Sequence, residues 1–171
     1  MRKAYQVSTM QTPPTGQTAP NLYETDFYAW TEQQVNLLRH QQWYQLDLSN
    51  LIEEIASLGR NERQELRNRL SILIGHLLKW EYQPEKRSRS WLATIRIQRR
   101  ETLKLLNENP SLQSDLATTL TEAYENGRDL ASGETNLPLS FFPQLCLYSL
   151  ADIFSDRFYP GTLSHGINEE S

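Results

Sequence analysis

The sequence predicts an all-α protein, an antiparallel helical bundle of about five main helices plus a short C-terminal helix. Three observations carry this. Apolar residues recur at helical spacing in successive segments, no strand-length alternating segment competes, and the connections between segments are short. With 171 residues, one domain is the default. The expected division is a disordered N-terminal tail at 1–21, a helical domain over 22–160 and a flexible C-terminal tail at 161–171. The polar, proline-rich run from Gln11 to Pro20 cannot bury enough apolar surface to offset the entropy of ordering it.

The first helix is expected over 24–39. Thr25 or Asp26 caps it, and Phe27, Trp30, Leu37 and Leu38 form an imperfect apolar stripe. Trp43 and Tyr44 then read as lid aromatics over the core edge. A second helix starts after Asp47, its N-cap. Leu48, Leu51, Ile52, Ile55 and Leu58 make its core-facing stripe, and Gly59 is a stop or kink. A third helix spans 61–82, with Leu66, Leu70, Leu73, Ile74 and Leu77 on one face and Pro84 ending it. Gly75 inside it costs roughly 1 kcal/mol against Ala; close approach of a neighbouring helix, or simple tolerance, accounts for its presence.

The fourth helix runs over 89–108, capped by Ser88 or Ser90. Leu92, Ile95, Leu103 and Leu106 form its stripe, with Arg99 filling the gap between them. Asn109-Pro110 breaks the chain into a fifth helix over 111–132, carrying Leu116, Leu120, Ala123, Tyr124 and Leu130, with Gly133 suited to the C′ position. The last short helix, 149–156, opens with a Ser149/Asp152 capping box.

Composition narrows the chemistry. The lone Cys146 excludes an internal disulfide and reads as a small buried hydrophobe. No apolar run is long enough for a membrane span and no secretory signal is recognisable, so a cytoplasmic location is expected, without membrane association. Dinucleotide, P-loop, zincin, EF-hand and nucleophile-elbow motifs are absent, and no motif implies a cofactor. No Glu-x-x-His occurs, so the di-metal bundle pattern is missing too. The net charge of −4 argues against a dedicated nucleic-acid binder, yet it averages unlike segments. Residues 60–104 hold 12 Lys/Arg and 5 Asp/Glu, residues 105–171 hold 2 and 10, and residues 1–59 hold 3 and 6. Either the basic third and fourth helices pair with acidic neighbours, or they present an anion-binding or partner surface.

Four constellations follow. Lys86, Arg87, Arg89 and Trp91 cluster at a helix start, and with Arg96 they are the candidates for anion or nucleic-acid binding. Arg99, on an apolar face, must be paired, and Glu53 and Glu54 are the expected partners in a buried ion-pair network. His76 shares a face with Ile72 and Trp80, the pattern of a hydrogen-bonded residue at the core edge. Joined with Glu53, Glu54 and Lys79, it is also the set from which an acid–base or oxygen-rich metal site would be drawn.

These blocks carry a resemblance. Leu22-Tyr23-Glu24-Thr25-Asp26-Phe27-Tyr28-Ala29-Trp30, Leu48 to Gly59, His76-Leu77-Leu78-Lys79-Trp80, Ser88-Arg89-Ser90-Trp91, Thr94-Ile95 and Gln98-Arg99 together resemble the domain-of-unknown-function family numbered twenty-nine, small proteins of cyanobacteria and other bacteria. The likeness covers about 22–160. It implies an all-helical fold and no particular activity. Three functions stay open at this point: a non-enzymatic interaction or scaffold module with a protein partner, nucleic-acid or phosphate binding through the third and fourth helices, and a metal-dependent or acid–base enzyme using Glu53, Glu54 and His76.

Overall fold

The computed structural model describes residues 21–161. The expected tails lie outside them, apart from their innermost residues Asn21 and Gly161. The described chain is an all-helical bundle: α1 (Leu22–Thr25), α2 (Phe27–Arg39), α3 (Leu48–Tyr82), α4 (Arg89–Glu108), α5 (Leu116–Thr135) and α6 (Leu150–Phe154), with no strand among the described residues. It divides into two compact units at Ile55/Ala56.

The first unit contains α1, α2 and the opening turns of α3. Asp26 caps α2, accepting from the Ala29 amide at 3.0 Å. Asp47 is the N-cap the sequence predicts for α3, taking the Asn50 amide at 3.4 Å. Asp47 also ties the unit together: Trp30 Nε1 donates to its carboxylate at 3.1 Å, and its own amide donates to Gln34 Oε1 at 2.9 Å. Trp30 is the buried member of the α2 stripe, whereas Phe27 and Leu38 are exposed. Trp43 and Tyr44 are exposed, not lids. They sit on a 3₁₀ turn between α2 and α3, entered through Gln41 at φ 56°, and connecting turns of this kind run over the surface.

Gly59 does not stop the helix. The two helices expected on either side of it are one continuous α3 of 35 residues. A single glycine costs roughly 1 kcal/mol in a helix, which good helix formers around it override, with Glu65–Arg69 among the i,i+4 pairs at 2.7 Å. Leu48, Ile52, Ile55 and Leu58, expected in the core, are exposed.

The second unit holds the core. Leu66, Leu70, Leu73, Ile74, Leu77 and Leu78 of α3 are fully buried or nearly so, against Ile95, Leu105 and Leu106 of α4, Ala123, Tyr124 and Ala131 of α5, and Phe142, Ile153 and Tyr159 beyond them. On α4 the buried face is Ile95, Arg99, Thr102 and Leu106, with Leu105 beside it, and Leu103 is exposed. The i, i+4, i+7, i+11 progression explains the difference, because Leu103 stands about 100° round from Thr102. Thr102 satisfies its hydroxyl on the Gln98 carbonyl at 2.7 Å.

Residues 110–115 form a 3₁₀ segment, so α5 starts later than expected and ends at Asn136 in the left-handed region. Asparagine tolerates that conformation, and Gly133 remains inside the helix. Gly75 is explained by close approach: a Cβ there would lie 2.6 Å from Leu130 Cδ2 and 3.1 Å from the Gly127 carbonyl. Helices α3 and α5 therefore cross at a pair of glycines. The Ser149/Asp152 capping box opens α6. Cys146 is half-buried, its thiol pushed up by burial.

Candidate functional site

The polar residues singled out in the sequence gather largely on the last turns of α3 and the start of α4. Lys79 is 2% exposed. Its ammonium pairs with Glu134 at the end of α5 and stands 4.3 Å above the Trp91 ring. A buried ammonium needs such compensation. One turn earlier, His76 places Nδ1 3.0 Å from the Ile72 carbonyl, an i−4 contact that the Nδ1–H tautomer makes as donor. Burial, followed by the Lys79 charge, holds its pKa below the ordinary 6.5, against the Ile72 bond and Glu134.

The neighbouring residue carries a parallel arrangement. Arg87 lies over the Trp80 ring at 5.1 Å, donates from Nε to the Trp80 carbonyl at 2.8 Å, and reaches the Gly161 and Pro160 carbonyls at 3.3 and 3.4 Å. Trp80 in turn packs on Tyr159, ring centroids 5.5 Å apart. Ser88 is the cap of α4, accepting from the Trp91 amide at 3.2 Å. Gln83 adds a buried bond from Nε2 to the Thr135 carbonyl at 3.0 Å.

Arg99 is fully buried, as its place in the α4 stripe implies, and its guanidinium is held by backbone carbonyls. Nε donates to the Ile153 carbonyl at 2.8 Å, Nη2 to the Phe158 carbonyl at 2.5 Å, and the guanidinium sits 5.1 Å from the Tyr159 ring. Burial pulls its pKa down, opposed by Tyr159 and Asp156. Glu54 accepts from the Tyr23 hydroxyl at 2.6 Å, and that bond, ahead of every other cause, pushes the phenol up to about 12. Glu53 is exposed. The carbonyls at the end of α6 and in the turn after it are fixed acceptors, and an arginine fork can satisfy two of them at once.

Among the described residues, no three or more His, Cys, Asp or Glu side chains are placed to hold a metal ion. No helix there is long and apolar enough to cross a membrane. Of the anion candidates, Lys86, Arg89 and Arg96 are exposed, whereas Arg87 and Trp91 are built into the fold.

Three residues were missed. Glu134 gives no local signal, because it meets Lys79 across 55 residues of chain. Arg100 and Lys104 extend the exposed row on α4 beyond Arg96; their i, i+4, i+8 spacing was readable. The expected pairing of basic with acidic helices is realised on α3, where Arg63 meets Asp115 at 3.0 Å and Arg67 meets Glu122 at 2.7 Å.

Neither the curated proteins nor the solved structures contain a match to this chain. A family model does match, over residues 22–159, a span that opens on α1 and closes on Tyr159, which packs against Trp80. The chain belongs to the family described as Domain of unknown function DUF29, a small all-helical domain.

Proposed function

We propose that the protein is a non-enzymatic interaction module that binds an amphipathic helix of a protein partner on the opening turns of α3. One observation carries the reading. Leu48, Ile52 and Ile55, spaced i, i+4, i+7, are 56%, 67% and 66% exposed. An apolar stripe of that kind is the receiving half of helix-on-helix recognition. The charge around it selects the partner: residues 21–55 carry six acidic side chains against Arg39. A helix with basic flanks therefore fits best. The engagement of Lys79, Arg87 and Arg99 within the fold supports a scaffold more than a catalytic role.

The test uses the full chain and a labelled 15-residue helical peptide with leucines at i, i+3, i+4, i+7 and lysine flanks, read by fluorescence anisotropy. Micromolar binding is expected, at least tenfold weaker for a glutamate-flanked version. Ile52→Asp with Ile55→Asp should abolish it. Equal binding of both peptides, or binding indifferent to the double substitution, refutes the proposal. A concentration-dependent dimer lost in the same double variant would make a second copy the occupant instead.

A further inference from the structure

The exposed stripe of Leu48, Ile52 and Ile55 lies in an acidic setting. Asp47 and Glu54 precede its first and last members, and their bonds come from neutral donors. Trp30 Nε1 and the Asn50 side chain donate to Asp47, and the Tyr23 hydroxyl donates to Glu54. Neutral donors stabilise a carboxylate without cancelling its charge. Residues 1–20 lie outside the described residues, and their sequence has the opposite charge: Arg2 and Lys3, with no acidic side chain. Residues 2–10 join these two cations to Tyr5, Val7 and Met10, and residues 11–20 are the polar, proline-rich run. That run meets the described chain at Asn21, two residues before the tyrosine that bonds Glu54. Ten such residues span up to about 30 Å, whereas Leu48 to Ile55 covers about 10 Å of helix.

We propose that residues 2–10 compete with the partner helix for the α3 stripe of their own chain, so that a partner must displace them. The inference rests on the docking reading above and names its regulation. Arg2 and Lys3 match the surrounding carboxylates, and Tyr5, Val7 and Met10 supply apolar contacts. A segment with so few contacts binds weakly when free, at about 100 μM, but a short tether supplies a roughly millimolar effective concentration. About one stripe in ten is then open, and the partner's apparent affinity falls about tenfold.

The labelled lysine-flanked peptide is titrated into the full chain and into two full-length variants, Arg2→Gln with Lys3→Gln and Tyr5→Ser with Val7→Ser. Both variants should bind it more tightly than the unchanged chain, by up to about tenfold. An unlabelled peptide of residues 1–12 should compete for the first variant, with half-displacement at about 100 μM. Circular dichroism confirms that each chain is folded. A gain in the charge variant alone reports relief of repulsion and overturns the proposal. A gain that varies with protein concentration places the segment on a second copy and overturns it too. Equal binding by all three chains, still abolished by Ile52→Asp with Ile55→Asp, removes the competitor and leaves the docking surface standing. No binding by any of the three overturns the docking reading and this inference together.

Discussion

Replacing Gly127 with alanine tests whether α3 and α5 are held at glycine distance. A Cβ at 127 would stand 3.1 Å from the Gly75 nitrogen, 3.1 Å from the Ser71 carbonyl oxygen and 3.0 Å from Ile74 Cγ2. Two of those three atoms are backbone, so relief requires the helices to separate. Overpacking of this kind costs about 1–3 kcal/mol, and alanine returns about 1 kcal/mol of helix propensity. The net expectation is a loss of up to about 2 kcal/mol. Gly59 is the control. It is also helical, in the same compact unit, and a Cβ there meets nothing within 4 Å, so Gly59→Ala should gain about 0.5–1 kcal/mol. The gap between the variants is then about 0.5–3 kcal/mol, and at about 2–4 °C per kcal/mol for a chain of this size they should differ in Tm by roughly 1–12 °C, with Gly127→Ala the lower. Far-UV circular dichroism during heating reads this directly, with urea unfolding as a second measure. If Gly127→Ala melts at or above Gly59→Ala, the close crossing is not what requires glycine.

Three further outcomes follow from the buried polar groups. Arg99→Ala should cost about 3–5 kcal/mol, because a buried cation holding two carbonyls is lost, and limited proteolysis should cut first within 153–161. Glu134→Ala should destabilise more than Lys79→Met: the first strands a buried ammonium, the second replaces it with an apolar side chain of similar length. Glu134 is half-exposed, so about 1–3 kcal/mol is expected for the first and under 1 kcal/mol for the second, both by urea unfolding. His76 has a folded pKa below its unfolded 6.5, chiefly through burial. Its contribution is therefore present above pH 6.5 and declines as pH falls from there through the folded pKa. His76→Gln should flatten that part of the stability–pH curve, and an unchanged curve would exclude the imidazole as its source.

Legibility followed the kind of information each residue carries. The face Leu66, Leu70, Leu73, Ile74 and Leu77 was readable because a helix repeats its buried positions by geometry alone, and all five are in the core. Ser149 with Asp152 was readable because a capping box closes within four residues. The burial of Arg99 was readable from its place in the α4 stripe. Its partners were not, since the carbonyls of Ile153 and Phe158 lie 54 and 59 residues away and carry no side-chain signature. The stripe from Leu48 to Leu58 misled for a related reason: periodicity reports that a helix has an apolar face, not that anything covers it.

The sequence by itself determined that the chain is helical, where α4 and α6 begin, and which face of α3 enters the core over residues 66–77. Capping, proline breaks and the 3.6-residue repeat act within a few residues, so they can be read without the fold. Only the tertiary structure decided that Gly75 faces Gly127, that Lys79 pairs with Glu134, and that Arg63 and Arg67 of α3 meet Asp115 and Glu122. Those outcomes depend on which segments meet across more than 50 residues of chain, a choice made by packing and charge compensation, not by local preference.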